Sequence, residues 1–273
     1  VADFATLPSP LRQYAVLLRV GFASAIQYRA DFVLTAVGAV CYEAVSLAFV
    51  GVVIHAFGSI GGWTLTDVAF VYGIRAMGHA LHGVLSGQLW ATDHVVRQGE
   101  FDRFLLRPVS PLLQLITLRF QVTAVGDLAF GLAVLTITAV AAPIDWSIGW
   151  LAFLVAAVLG SALTESAVML AISSLTFRLL SSSPILAIAD TVFVTFGPYP
   201  LSVLPRAVSY LLTFVLPLAF AAYLPAAILL QRTSDLFVPL WLGFAAPAVG
   251  VVLYIAAVAF FRQQMRSYSS PGH

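Results

Sequence analysis

GWLAFLVAAVLGSALTESAVMLAISSLT, Gly149–Thr176, carries a single ionisable side chain, Glu165, in an otherwise apolar run. A helix that crosses a bilayer needs about 20 predominantly apolar residues, so this stretch predicts a membrane span. Similar runs at 32–56, 67–89, 121–141, 183–203 and 239–261 predict an all-α polytopic bundle of six transmembrane helices. Composition points the same way. Of 273 residues, 61% are hydrophobic and 9% charged, against about 25% charged in a soluble domain. The stretch 205–230 is apolar but interrupted by Pro205, Pro217 and Pro225. It reads as short re-entrant helices in the outer face, since irregular backbone at membrane depth needs shielding by protein or a water-filled cavity. We expect one domain over 1–273.

Orientation follows from the basic residues. All 13 are arginine. With the N-terminus inside, Arg12, Arg19, Arg29, Arg97, Arg103, Arg107, Arg119, Arg178, Arg262 and Arg266 fall on cytoplasmic segments. Arg206 and Arg232 fall outside, and Arg75 lies in a span. This positive-inside bias places a multi-pass chain in the cell membrane with both termini cytoplasmic. Before the first span, Leu11, Ala15, Leu18, Phe22 and Ile26 recur at helical spacing. Residues 9–29 are therefore expected to lie as an elbow helix in the inner interface. The first apolar run begins near Phe32, too far in and too long for a signal peptide.

Several chemistries are disfavoured. There is no lysine, so no phosphate-binding loop of the Walker type can be built. No cofactor is expected on this chain, and any ATP with its Mg²⁺ belongs to a partner. The one cysteine, Cys41, excludes an internal disulfide. No H-E-x-x-H motif or Ser–His–Asp spacing stands out, so no catalytic site is expected. Nothing calls for a nucleic-acid partner; membrane lipid is the expected surrounding.

The densest charge lies at Asp93–Arg107, between the second and third spans. Thr92 is a candidate helix cap, Gly99 a stop, and Pro108 a second stop. The segment 90–111 predicts a compact cytoplasmic elbow. Its exposed charges and its apolar Phe101, Phe104, Leu105 and Leu106 suit either a docking surface or an ordinary loop obeying the positive-inside rule.

GEFDRFLLRPVSPLLQL, Gly99–Leu115, resembles the signature of the ABC-2 type permeases, in a branch of small six-span proteins. QYRADF, Gln27–Phe32, and GWTLTDVAFVYG, Gly62–Gly73, resemble the same branch. Pro217, Leu218, Ala219 and Phe220 sit where such permeases carry re-entrant outer helices. The resemblance implies an exporter in which two permease subunits, identical or different, form the pathway above a separate nucleotide-binding ATPase. It makes 90–111 the coupling region, with Arg97, Glu100, Phe101, Asp102, Arg103 and Arg107 as contacts to that ATPase. Transport would follow from differential binding to two states of the bundle.

Ionisable residues inside spans are costly and often functional. Glu43 and Arg75 lie at compatible depths on adjacent spans, which suggests a structural ion pair. Asp127, Glu165 and Asp190 lack an obvious basic partner. They suggest either carboxylates satisfied by local hydrogen bonds or an acidic vestibule for a cationic, partly hydrophobic substrate, with Phe130 and Phe193 as aromatic faces. His79 and His82 share a helical face as packing or pathway residues; no further His or Cys completes a metal site. The expected cargo is drug-like, natural-product or hydrophobic cationic. A lipid or glycan exporter is the nearest alternative. An ion-coupled secondary transporter is another, but no internal repeat is visible.

Overall fold

The structure is a computed structural model that describes residues 9–179 and 181–269. Both ends of the domain expected over 1–273 therefore lie outside the described residues. The described residues are helical, without strands. Helix α1 spans Pro10–Ile26, α2 Arg29–Phe57 and α3 Leu65–Ser86. Three short helices follow: α4 Thr92–Arg97, α5 Phe101–Leu105 and α6 Pro111–Ile116. Then come α7 Thr123–Ala141, α8 Ile148–Ser174 and α9 Ser183–Phe196. The chain closes with α10 Arg206–Phe214, α11 Leu218–Ala221, α12 Tyr223–Leu229 and α13 Leu240–Met265.

Four segments are long and apolar enough to cross a membrane: Arg29–Phe57, Thr123–Ala141, Ile148–Phe177 and Leu240–Met265. They make this a multi-pass membrane protein. The other two expected spans differ. Helix α3 has the length, but Asp67, Arg75, His79 and His82 interrupt its apolar character. Helix α9 stops at Phe196 rather than near 203, because Gly197-Pro198 and Pro200 break it. Its 14 residues rise only about 21 Å, against a hydrocarbon thickness of about 30 Å.

Local chemistry sets the helix ends. Gly58, at φ 79°, ends α2 in a conformation a side chain would strain. A capping box starts α3: the Asp67 N–H donates to Thr64 Oγ1 at 3.3 Å, and the Thr64 N–H returns to Asp67 Oδ2 at 2.9 Å. Thr92 does not cap α4 as expected. It lies inside the helix, and its hydroxyl donates back to the Leu89 carbonyl at 2.7 Å. The region 205–230 does resolve into short helices, α10–α12.

Helix α8 forms the centre, packed by α13 and α3, while α7 packs on α3 and α2. Small residues allow the closest crossings, as expected where lipid gives helices no hydrophobic drive to associate. A Cβ on Gly250 of α13 would stand 2.3 Å from the Gly160 carbonyl oxygen of α8. At the other extreme, α1 buries no residue. It touches the bundle through Phe22, whose ring lies 5.0 Å from Phe120, and through Tyr14, which donates to the Leu85 carbonyl at 2.9 Å. Opposite α1, Arg232 ties the α12–α13 loop to the start of α3 through Asp67 at 2.7 Å.

Candidate functional site

Helices α2, α3 and α9 frame a cleft of ≈ 450 Å³. Tyr42, Glu43, Ser46 and Phe49 line it from α2, Tyr72, Arg75 and His79 from α3, and Val194 and Thr195 from α9. A second groove of ≈ 400 Å³ adjoins it, sharing Tyr42, Glu43 and His79 and adding Thr123 and Asp127 near the start of α7. The walls are mixed. Apolar faces suit a hydrophobic body, and the polar groups converge on Glu43, His79 and Asp127.

Behind the cleft lies a buried polar cluster. Glu165, without solvent exposure, meets Arg75 Nη1 at 3.2 Å and His79 Nδ1 at 2.8 Å. Arg75 Nε also donates to the Phe193 carbonyl at 3.3 Å, and its guanidinium lies 5.8 Å from the Phe193 ring centroid. His82 points away from His79's partner. Its Nδ1 lies 2.9 Å from Ser166 Oγ and 3.0 Å from Ser86 Oγ, and those two hydroxyls are 2.8 Å apart. Among the described residues, no three His, Cys, Asp or Glu side chains gather as metal ligands.

Four expectations change here. Arg75 pairs with Glu165 across α3 and α8, not with Glu43. Glu43 instead accepts a hydrogen bond from the Tyr72 hydroxyl. The reason is rotational: the fold turns Arg75 towards α8 and α9, while Tyr72, one turn earlier, faces α2. Glu165 consequently has the basic partners it was expected to lack. Phe193 gives its ring to Arg75, so that face is occupied. The three carboxylates do not form one vestibule. Glu165 is neutralised in the core, Asp127 is buried but lines the second groove, and Asp190 sits half-buried on α9 outside the lining of either.

The segment 90–111 folds as a compact elbow. Gly99, at φ 69°, turns the chain between α4 and α5. Phe101 packs within 5.0 Å, centroid to centroid, of both Phe177 and Tyr268. Gln114 Nε2 donates to the Phe104 and Val109 carbonyls at 2.9 and 2.8 Å, which fixes α5 against α6. The profile of a family described as "ABC-2 family transporter protein" matches residues 40–272. The chain belongs to the ABC-2 transporter family. No curated protein and no solved structure gives a significant match to it.

ABC-2 membrane components generally pair with ATPase subunits, which gives the elbow's surface its interest. Arg97, Arg103 and Arg107 are exposed, and Glu100 and Asp102 are half-buried. Phe101 is fully buried and cannot touch a partner, so it anchors the elbow from within. Leu105 and Leu106 are exposed beside the arginines. The alternation of buried Phe101 and Phe104 with exposed Arg103 and Leu105 has a helical period. That period was present in the sequence and separates the buried residues from the exposed ones.

Proposed function

We propose that this ABC-2 chain is the transmembrane permease subunit of an ATP-driven exporter of hydrophobic, cationic, drug-like or natural-product molecules. ATP is hydrolysed on a separate nucleotide-binding ATPase that docks on the elbow. A second permease subunit, identical or homologous, covers the cleft. In this reading α3 and the segment 183–203, α9 together with the residues that follow it, complete six spans, α1 lies in the inner interface, and both termini are cytoplasmic.

One observation carries the reading. Arg75 is consumed by Glu165, so Glu43 and Asp127, which line the shared clefts, form no ion pair among the described residues. A membrane-embedded cleft with this balance attracts a cation, and Tyr42, Phe49 and Tyr72 accommodate its apolar body. Inward- and outward-open states would bind that cation differently, which lets ATP move it.

The test is efflux from cells that express the permease with its ATPase. Asp127→Asn and Glu43→Gln should each lower efflux of a lipophilic cation on the order of tenfold, about 1.4 kcal/mol of lost attraction, and spare a neutral drug. Equal loss for both cargo classes, with normal membrane levels, would remove the cation reading.

A further inference from the structure

The carboxylate with the most hydrogen bonds in the described chain is not in the cleft. Asp93 lies on α4 with 4% exposure. It accepts from the Ser182 N–H at 3.0 and 3.1 Å, the Ser183 N–H at 3.0 Å, Ser182 Oγ at 2.9 Å and Ser183 Oγ at 2.5 Å. The hydroxyls of Thr176 and Ser181 donate to it as well. All these donors come from the junction that ends α8 and begins α9.

Ser182 occupies the cap position of α9, but its own side chain makes no cap bond there. Asp93 does this from another helix. Its negative charge meets the positive end of the α9 dipole and satisfies amides that helix geometry leaves without partners. Short charge-assisted bonds of this kind are stronger than neutral ones, so the contact is stiff.

The rest of α9 is weakly held. It buries only Leu186, Ala189 and Phe193, while Ile185 and Ile188 are exposed. At its far end Arg75 holds the Phe193 carbonyl, and Thr195 faces the cleft. One end of α9 is thus fixed to the elbow, and the other shapes the pathway. Within the elbow, Gln114 ties α6 to the Phe104 carbonyl of α5, while Phe101 packs α5 against Phe177 just past the end of α8. We propose that Asp93 is the positioning residue through which displacement of the cytoplasmic elbow moves α9 and reshapes the cleft.

This rests on the reading of the elbow as the ATPase dock, so the experiment reads docking and transmission separately. The permease is co-expressed with its ATPase in a Cys41→Ser, Thr195→Cys background. Docking is read as ATPase recovered with the permease. Transmission is read as the change in maleimide labelling at position 195 on adding a non-hydrolysable ATP analogue. Asp93→Ala should leave recovery unchanged, because Asp93 is buried beneath the dock, and should reduce the nucleotide-dependent change at least about tenfold, since several charge-assisted bonds are lost together. Ser181→Ala with Ser183→Ala keeps the backbone donors and should reduce it roughly twofold. That pair supplies the answer if Asp93→Ala does not fold. Labelling at 195 that still responds fully to nucleotide in either variant overturns the link. Loss of ATPase recovery in Asp93→Ala also overturns it, by placing Asp93 in the dock.

Discussion

Glu165 on α8 and Glu43 on α2 are glutamates in the middle of long apolar helices, yet their surroundings differ completely. Glu165 has no solvent exposure and holds Arg75 and His79. Glu43 faces a cleft and takes a tyrosine hydroxyl. The helices differ in the same way. Of the most apolar window of each, 72% is buried for α8 and 11% for α2. Helix α8 is the core of this chain, whereas α2 presents Val45, Phe49 and Val52 outward beside a polar cleft. The difference separates charge that builds the fold from charge left available to something outside it.

The largest effect should come from breaking the buried member. Glu165→Gln leaves the Arg75 guanidinium without a counterion in the core. Removing one partner of a buried pair costs about 3–5 kcal/mol. Glu43→Gln leaves no cation stranded and should cost below about 1 kcal/mol. Thermal unfolding of the two variants in one detergent checks the comparison. Similar losses would mean that Glu43 is structural too.

Much of this contrast is illegible in one dimension. The apolar runs of α2, α7, α8 and α13 fall where the sequence places them, because the length needed to cross a bilayer is printed in composition. The end of α9 was also readable, since Gly197, Pro198 and Pro200 interrupt the apolar run before 203. The partner of Arg75 was not. Glu43 and Glu165 both lie at plausible depths, and only the rotation of α3 about its axis decides between them. Asp93 was hidden for a related reason. The run Ser181–Ser182–Ser183–Pro184 signals a helix start, but no spacing reveals that its cap comes from α4, some 90 residues away.

Glycines give a smaller, steric version of the same comparison. Gly250→Val would drive a side chain into the Gly160 backbone, where an added Cβ already stands 2.3 Å from an oxygen. Overpacking of this kind typically costs about 1–3 kcal/mol. Gly51 on α2 has nothing within 4 Å, so Gly51→Leu should change folding by less than about 0.5 kcal/mol. Recovery of monodisperse protein and its unfolding temperature separate the two. If Gly51→Leu unfolds the isolated chain, α2 is packed in a way its open face does not reveal.

The smallest effect concerns pH, and it distinguishes two ways of burying a carboxylate. Glu165 is held by cations, whereas Asp93 is held by hydroxyls and amides. At Asp93, burial pushes the carboxyl upward, but the hydrogen bonds from Ser181, Ser183, Thr176 and the Ser182 amide overcome it and hold the group well below its ordinary value of 3.8. For a carboxyl lowered on folding, the stabilisation is complete above the unfolded value. It is lost only as pH falls through the folded one. Both limits lie below pH 5, so the cap on α9 should be unchanged from pH 8 to pH 5. Hydrogen exchange at the Ser182 and Ser183 amides, corrected for the intrinsic rate at each pH, should show constant protection over that range. Protection that falls between pH 8 and pH 5 would mean that a group titrating there controls the junction. The Asp93 contact would then be a pH-sensitive latch rather than a permanent strut, and the elbow would reach α9 only when that group is in its alkaline form.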